Sequence, residues 1–354
     1  MEEKTYRVIG VMSGTSLDGV DLVLVEFKYN EVWSFEIYHS ETIAYEKKWE
    51  NLFKNLVSFS SKELHKIDQD YTSYLAEIIS SFIKKYSIRS FDAICSHGHT
   101  ALHQPEKEMT YQIGNLPILA KFLNHKIVCD FRIQDVELGG QGAPLVPIGD
   151  ELLFAKYDFC LNLGGFANVS TQINNERIAY DICPANILLN HYVKKLGFSY
   201  DDKGKIASKG AVNQELLNKL NALPFYKQGY PKSLGLEWVE NTVFPLIDSF
   251  SIKIKDILKT FVEHITIQLA SEINKKSNAS VLITGGGVYN AYLIERLQDK
   301  TDNNIIIPDA RLIEFKEAVI FGFLGVLKLR NENNCLKSVT GASKDHSSGK
   351  IYLP

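Results

Sequence analysis

The stretch Val8-Ile-Gly-Val-Met-Ser-Gly-Thr-Ser-Leu-Asp-Gly-Val-Asp-Leu-Val-Leu-Val-Glu-Phe27 places a polar turn between two apolar, β-branched runs. Runs of this kind predict two paired strands, here Tyr6–Met12 and Val20–Phe27. The turn contains glycines, hydroxyl side chains and an acid. Glycine lets a phosphate approach the backbone, and successive N–H groups in a turn bind anions. The stretch is therefore typical of a hairpin that grips a phosphate, and it indicates nucleotide binding.

The composition of the chain limits what kind of protein it can be. Its 354 residues are enough for two domains of ordinary size. A net charge of −3 favours neither a nucleic-acid partner nor a membrane surface. The five cysteines are scattered without metal-ligand spacing, which favours reduced thiols in the cytoplasm. The N-terminus also lacks the pattern of a signal peptide.

The opening pattern occurs twice along the chain. A third strand, Trp33–His39, follows the first two and predicts an antiparallel meander. A second meander is predicted from Phe159–Leu163, Val169–Ile173 and Arg177–Asp181, with the turn Gly164-Gly165-Phe166-Ala167-Asn168 between its first two strands. A duplicated meander predicts two α/β lobes with a cleft between them.

Helical spacing and short apolar runs supply the remaining predicted elements. Ser60 and Glu63 form a capping-box pair at the start of a helix over Lys62–Tyr86. Further helices are predicted near residues 116–123, 185–196, 212–222 and 256–276, from 291 onward, and over 314–330; buried strands are predicted at 91–96, 127–130 and 281–284. The glycine- and proline-rich loop 131–147 is the predicted boundary, with residues 1–145 in the first lobe, 146–330 in the second, and 331–354 packing back on the first.

Asp181 is the predicted general base. It ends a strand and precedes a helix, so its carboxylate can face a cleft. An ordinary aspartate is a weak base, so its surroundings would have to desolvate it or aim it at one proton. The alternative is that Asp181 merely caps the following helix.

Three other side chains lie near the predicted cleft. His97 and His99 flank Gly98 after a buried strand, and they can bind a polar substrate or a metal, although no third ligand has suitable spacing. Arg132 follows another strand and can pair with a phosphate or a carboxylate, or with a neighbouring acid such as Asp135. The chain has neither G-x-G-x-x-G between strand and helix nor G-x-x-x-x-G-K-[ST], which argues against Rossmann and P-loop proteins.

Taken together, these segments resemble the anhydro-N-acetylmuramic acid kinase family. The matching segments, in chain order, are Gly10–Asp21, Ser96-His-Gly-His-Thr100, Asp130-Phe-Arg132, Gly139–Pro147, Leu161–Asn168, Asp181 with Pro184 and Asn186, Pro231-Lys-Ser233, Gly285–Asn290 and Ser338–Ser343.

The resemblance implies an α/β, two-lobed actin/hexokinase/Hsp70-like (ribonuclease H-like) fold with a central nucleotide cleft. It also implies an ATP- and Mg²⁺-dependent sugar kinase in which Asp181 is the general base. The nucleotide would be bound by Gly14, Thr15, Ser16, Leu17, Asp18, Gly19, Val20, Asp21, Gly164, Gly165, Asn168, Gly285, Gly286, Gly287 and Asn290, with Asp18 and Asp21 holding Mg²⁺ through water. The sugar would be bound by His97, Thr100, Arg132, Gln141 and Asn186. The glycine turns beginning at Ser13, Gly164 and Gly285 are expected to surround one ATP molecule.

The chain departs from the family pattern on what we expect to be the sugar side. Ile182, Cys183 and Ala185 replace Thr, Gly and Gly between Asp181 and Asn186. His99 replaces a glutamine, and Leu234 and Leu236 replace Thr and Arg. These changes leave open a related amino-sugar kinase with another substrate, or a sugar or nucleotide sensor without turnover. A homodimer is a further possibility.

Overall fold

A computed structural model describes residues 4–14 and 17–354. The chain forms two compact units, one of Met1–Phe154 with Phe315–Pro354 and one of Ala155–Glu314. The sequence predicts boundaries at residues 145 and 330, whereas the first compact unit extends to Phe154 and resumes at Phe315. The physical reason is the packing of the last long helix, described below.

The strands of the described residues are β1 Lys4–Ser13, β2 Gly19–Asn30, β3 Val32–Ala44, β4 Ala93–Ser96, β5 His99–Gln104, β6 Met109–Ile113, β7 Ile127–Cys129, β8 Phe159–Leu163, β9 Phe166–Ile173, β10 Glu176–Pro184, β11 Ser280–Thr284, β12 Asn304–Ile306 and β13 Lys350–Tyr352. The hairpin of β5 and β6 is an addition to the predicted elements.

The helices of the described residues are α1 Lys47–Phe53, α2 Ser61–Lys85, α3 Ile118–Leu123, α4 Ile133–Glu137, α5 Pro147–Leu153, α6 Asn186–Lys194, α7 Lys205–Ser208, α8 Gln214–Asn221, α9 Leu236–Trp238, α10 Phe244–Asp248, α11 Ile254–Ile273, α12 Ala291–Gln298, α13 Ala310–Leu329 and α14 Lys337–Thr340. The predicted capping box of α2 is confirmed, since Ser60 accepts from the Glu63 amide and the Glu63 carboxylate accepts from the Ser60 amide. Among these helices, none has the length and hydropathy that crossing a bilayer requires.

The two main sheets have the same topology. In the described part of the first unit the strand order is β13-β7-β4-β1-β2-β3, with β1, β2 and β3 antiparallel and β4 and β7 parallel to β1. In the second unit the order is β10-β9-β8-β11-β12, again with an antiparallel meander followed by two parallel strands. The duplicated meander predicted from the sequence is thus confirmed.

Helix α13 packs against the first sheet at glycine positions. A Cβ atom on Gly10 of β1 would lie 2.1 Å from the carbonyl oxygen of Ala318 in α13. On the helix, a Cβ atom on Gly325 would lie 2.1 Å from Cys95 Sγ of β4. Such distances are far below van der Waals contact, so glycine at both positions lets the helix approach the sheet closely. This packing assigns the chain from Phe315 onward to the first unit.

Candidate active site

Two of the predicted glycine turns meet within the second unit. The turn between β8 and β9 begins at Gly164, and the turn after β11 begins at Gly285, whose φ is +85°. A Cβ atom on Gly285 would lie 2.5 Å from Asn162 Oδ1, and one on Gly287 would lie 2.6 Å from Leu163 Cβ. Larger residues therefore cannot occupy these two positions without separating the turns. The two glycine turns form one surface of exposed backbone at the ends of adjacent parallel strands.

Two asparagines hold the backbone around these turns. Asn186 Nδ2 donates to the carbonyl oxygen of Leu163 at 3.1 Å, and the Asn186 amide donates to that of Gly164 at 3.2 Å. Asn290 Oδ1 accepts from the Leu293 amide at 3.1 Å and so caps α12. The side chains of Asn186, predicted to bind substrate, and of Asn290, predicted to bind nucleotide, thus stabilise the backbone of the turns.

A row of polar residues crosses the second sheet near these turns. Asn162 lies opposite Asn168 across β8 and β9, and Asn168 lies opposite Asp181 across β9 and β10. On the other side, Thr284 of β11 is the partner of Asn162. Side chains of paired residues on neighbouring strands lie on the same face of a sheet, so the four form a continuous row. At about 4.8 Å per strand, Asp181 stands roughly 10 Å from Asn162.

The Asp181 carboxylate is bound through one of its two oxygens. Oδ2 accepts from the Leu234 amide at 2.8 Å and from Ser233 Oγ at 3.2 Å. Within residues 4–14 and 17–354, no donor lies within hydrogen-bonding distance of Oδ1. Burial raises the pKa of Asp181 above its ordinary value, while the two hydrogen bonds and Lys232 oppose the rise. The carboxylate is therefore a better proton acceptor than an exposed aspartate, with one oxygen available for a ligand.

The loop that binds Asp181 is anchored by a buried lysine. The side chain of Lys232 is 4% exposed, and its Nζ lies 4.8 Å from the centroid of the Phe225 ring and 3.9 Å from Glu272 Oε1. The Asp181 amide donates to the Lys232 carbonyl oxygen at 3.2 Å. Burial lowers the pKa of Lys232. Sequence reasoning had no role for Ser233 or the Leu234 amide; the motif Pro231-Lys-Ser233 was the available signal.

Three departures from the family pattern are buried side chains of the second unit. Ile182, Cys183 and Ala185 are 1%, 0% and 1% exposed, and all three pack in the hydrophobic core of the second unit. Whether these changes alter the sugar side of the site stays a prediction. The β-bulge between Asp181 and Cys183 changes which side chains face the core. The changes therefore contribute to the packing of the core next to Asp181.

The first glycine turn belongs to the first unit. Thr15 and Ser16 lie outside the described residues. Ser13 is buried, and its Oγ lies 2.5 Å from the Tyr45 hydroxyl and 2.8 Å from His99 Nδ1. Burial lowers the pKa of His99 to about 4, so its imidazole is neutral at pH 7. His99 therefore positions the start of the turn.

The remaining residues of this turn differ in what they can offer a ligand. Asp18 is exposed and Asp21 is half-buried, with Thr42 Oγ1 donating to Asp21 Oδ1 at 2.5 Å. Val20 is fully buried, so it can offer a ligand only its backbone. A Cβ atom on Gly19 would lie 2.4 Å from the Ile43 carbonyl oxygen. Gly14 accepts from the Leu17 amide at 3.4 Å, and Leu17 has a φ of +59°.

Arg132 is held from two sides in the first unit. Its Nε donates to His97 Nε2 at 3.0 Å, and its Nη1 donates to the Gly142 carbonyl oxygen at 2.7 Å. His97 is 4% exposed and its Nδ1 lies 2.8 Å from its neighbour's carbonyl oxygen, that of Gly98. Burial and Arg132 lower the pKa of His97, so it is a neutral acceptor. Both His97 nitrogens are occupied, and within the described residues Arg132 Nη2 has no acceptor.

The other two predicted sugar ligands lie in the same unit. Thr100, on β5, is half-buried, and its Oγ1 accepts from Gln112 Nε2 at 3.5 Å. Gln141 has an exposed side chain, and its amide donates to the Thr340 carbonyl oxygen at 2.8 Å.

Comparison with known proteins agrees with the motifs. The family model for anhydro-N-acetylmuramic acid kinase matches residues 6–354. The chain belongs to the anhydro-N-acetylmuramic acid kinase family. It is therefore a kinase, and the enzyme class predicted from its sequence is confirmed.

Similar proteins extend over nearly the whole chain. An anhydro-N-acetylmuramic acid kinase of Sulfurimonas denitrificans is 33% identical, covering 97% of this chain and 98% of that protein. One of Mannheimia succiniciproducens is 34% identical, covering 97% of this chain and 98% of that protein. Among solved structures, component A of (R)-2-hydroxyglutaryl-CoA dehydratase from Acidaminococcus fermentans is similar, with a TM-score of 0.45 and 12% identity. The match covers 89% of this chain and 95% of that chain.

Proposed function

We propose that this kinase uses ATP and water to open 1,6-anhydro-N-acetylmuramic acid and to phosphorylate its O6. The product would be N-acetylmuramic acid 6-phosphate, an intermediate in the recycling of cell-wall sugar. Family membership supports the substrate. The observation that carries the chemistry is the Asp181 carboxylate, which combines a raised pKa with an oxygen that accepts no hydrogen bond from the described residues.

In the proposed reaction, Asp181 acts as the general base. Its Oδ1 takes a proton from a water molecule, whose oxygen forms a bond to C1 of the sugar as the bond between C1 and O6 breaks. The electron pair of the broken bond stays on O6, which attacks the γ-phosphorus of ATP, and ADP leaves. The amide of Leu234 and the hydroxyl of Ser233 keep Oδ2 in place, so that Oδ1 is aimed at the water.

The phosphoryl transfer depends mainly on positioning and on charge stabilisation. We propose that the backbone around Gly164 and Gly285 binds phosphate oxygens, because both turns are lined by glycine at the ends of strands. Asp18 and Asp21 offer carboxylate oxygens, the ligands that Mg²⁺ prefers, and Mg²⁺ would neutralise charge on the phosphates. We assign an anionic group of a substrate to Arg132, through its Nη2.

Two further proposals concern the cellular compartment and the oligomeric state. All five cysteines are buried and none is in a disulfide, which supports a reducing compartment such as the cytoplasm. Exposed apolar side chains, Leu196, Phe198 and Tyr200, are candidates for a homodimer contact.

An assay for ADP release tests the substrate. With ATP and 1,6-anhydro-N-acetylmuramic acid, we expect ADP and the 6-phosphate to appear in equal amounts. ADP formation with another amino sugar alone would replace the proposed substrate. Binding of sugar and nucleotide without any ADP release would favour a sensor and would contradict the proposed kinase reaction.

Asp181→Asn tests the base. The amide keeps the shape of the carboxylate but cannot take the proton from water, so we expect kcat to fall by about 10²–10⁴-fold. Nucleotide binding, followed by calorimetry, is expected to be retained. The control is Asp299→Asn, which alters an exposed carboxylate of the same unit that pairs with Arg296. Turnover within a few-fold of the unmodified enzyme in Asp181→Asn would refute the assignment.

A further inference from the structure

A cluster of three potential metal ligands lies in the first unit. The cluster consists of Asp135, Cys335 and His346, and their potential ligand atoms all lie within 4.8 Å of one another. All three residues are buried, with relative exposures of 0%, 2% and 4%. Asp135 belongs to α4, while Cys335 and His346 face each other in an antiparallel bridge near the C-terminus.

The imidazole of His346 is oriented like that of a metal ligand. Its Nδ1 lies 3.1 Å from the Lys344 carbonyl oxygen, so Nδ1 carries a proton and donates it there. Its Nε2 is buried and has no hydrogen-bond partner within the described residues, yet it lies 3.6 Å from Asp135 Oδ1. A metal-bound histidine typically donates its other N–H to a carbonyl oxygen in this way.

Without a cation, this arrangement is electrostatically unfavourable. In the neutral imidazole, the lone pair of Nε2 faces the negative oxygen of Asp135 in a region without solvent. A buried polar atom left without a hydrogen-bond partner destabilises the folded protein. Either a proton on Nε2 or a metal ion between the groups removes this cost. The nearby thiol of Cys335 favours the metal ion over the proton. A sulfur ligand contributes to a metal site but has no role in a His–Asp ion pair.

The Asp135 carboxylate is also held as a ligand would be. Its Oδ1 accepts from Thr340 Oγ1 at 2.7 Å, and its Oδ2 accepts from the Gly142 amide at 2.7 Å. These bonds fix the carboxylate and still leave a lone pair on Oδ1. Carboxylate, thiolate and imidazole together are a ligand set that suits Zn²⁺.

We propose that Asp135 Oδ1, Cys335 Sγ and His346 Nε2 bind a Zn²⁺ ion. Three protein ligands leave the fourth tetrahedral position to a water molecule. Binding would release the thiol proton of Cys335 to solvent, since the thiolate is the form that coordinates the metal. Asp135 comes from α4, and Cys335 and His346 come from the chain that follows α13. Because the Gly142 amide donates to Asp135, the ion would link that part of the chain to the loop carrying Gly142.

The proposed site is connected to Arg132 through that loop. The Gly142 amide donates to Asp135, and the Gly142 carbonyl oxygen accepts from Arg132 Nη1. A metal that fixes Asp135 would thereby help to position the guanidinium. The Zn²⁺ would have a positioning role, and the proposal does not depend on the sugar that the enzyme phosphorylates.

Metal analysis of the full-length protein tests the site. The protein is stripped with a chelator, equilibrated with Zn²⁺ and dialysed, and its metal content is measured by elemental analysis. We expect a single equivalent per chain, retained through dialysis. Replacing Zn²⁺ by Co²⁺ should produce a thiolate-to-metal charge-transfer band in the absorption spectrum, because Cys335 is a ligand. Neither readout depends on activity.

Variants of the ligands show whether these residues bind the metal. Cys335→Ser and His346→Gln should each weaken Zn²⁺ binding by at least about 10-fold, and Cys335→Ser should abolish the charge-transfer band. The controls are Cys160→Ala, which removes a buried thiol in β8, and His65→Ala, which removes an exposed imidazole on α2. Circular dichroism shows whether each variant is folded.

Two results would overturn the proposal. One is wild-type protein that retains no Zn²⁺ after dialysis and gives no charge-transfer band, in which case a protonated His346 paired with Asp135 accounts for the geometry. The other is metal content in folded Cys335→Ser and His346→Gln that equals that of both controls. If a variant does not fold, the charge-transfer band of the wild-type protein decides whether a thiolate is a ligand.

Discussion

At the scale of single residues, the two oxygens of Asp181 have different surroundings. Oδ2 accepts two hydrogen bonds from the loop that follows Lys232, while burial keeps the pKa of the group above its ordinary value. Hydrogen bonds to the charged form lower a carboxyl pKa, and burial raises it. The loop therefore limits how far burial can raise the pKa of the proposed base.

Removing the Ser233 hydroxyl should shift the pH dependence of the enzyme. Ser233→Ala deletes a donor to the ionised carboxylate, so the pKa of Asp181 should rise further. Because the base must be ionised to accept a proton, activity should then begin at higher pH. The measurement is the acid limb of the profile of kcat/KM against pH, which should move upward in Ser233→Ala.

Ser208→Ala is the matched control for this shift. Ser208 is exposed in the same unit, and its hydroxyl donates to the Lys205 carbonyl oxygen, far in sequence from the Asp181 loop. Its pH profile should coincide with that of the unmodified enzyme. An acid limb that stays in place in Ser233→Ala would mean that Asp181 is not the group that titrates there.

At the scale of elements, the most demanding contact is that of α13 with the first sheet. Gly10 of β1 faces the backbone of Ala318, and Gly322 of α13 faces the side chains of Val8 and Val25. Small residues on both elements let the helix axis approach the strands, so that its apolar side chains can bury more surface. The position of this helix thus depends on glycine in the strand as well as in the helix.

Gly10→Ala should destabilise the protein. The new methyl group would lie 2.1 Å from a backbone oxygen, which cannot rotate away as a side chain can. Overpacking of this kind costs about 1–3 kcal/mol, and a backbone clash belongs at the upper end. The change should appear as a lower urea midpoint. Gly229→Ala is the control, because a Cβ atom there would meet nothing within 4 Å; equal midpoints for the two variants would contradict this account of α13 packing.

At the scale of the whole molecule, the chain builds the same sheet twice and then returns to the first unit. The C-terminal strand β13 pairs with β7 at the edge of the first sheet. Asn334 is fully buried and holds this return, because its Nδ2 donates to Leu324 and Ser348 carbonyl oxygens at 3.0 and 2.9 Å. Its Oδ1 accepts from the Ser348 amide at 2.7 Å.

Asn334→Ala should loosen the C-terminal segment and lower the stability of the first unit. Three buried backbone groups would lose their partner, at about 1 kcal/mol each, so we expect a loss of roughly 3 kcal/mol. Urea denaturation measures the loss, and hydrogen exchange should locate it near β13. Asn333→Ala is the control, because Asn333 precedes Asn334 in the chain and its side chain is exposed. Similar denaturation curves for the two variants would show that Asn334 does not hold the segment.

The sequence predicted those parts of the protein whose signals are local. The capping box at Ser60 and the strand Phe159–Leu163 occur where the pattern predicted them. The hairpin of β5 and β6 escaped prediction because His99–Gln104 lacks a regular alternation of apolar and polar residues. Among the residues of the candidate site, the sequence identified Asp181 and Arg132 but not the groups that hold them.

The sequence by itself determined the duplicated meander, the glycine turns and the family, because each depends on neighbouring residues and characteristic motifs. Tertiary structure decided that Ser233, 52 positions from Asp181, would bind its carboxylate. It also decided that His97 would accept a hydrogen bond from Arg132, and that Cys183 would lie in the core of the second unit. The physical reason is that burial and hydrogen bonding depend on which distant segments meet, and local sequence patterns do not specify those partners.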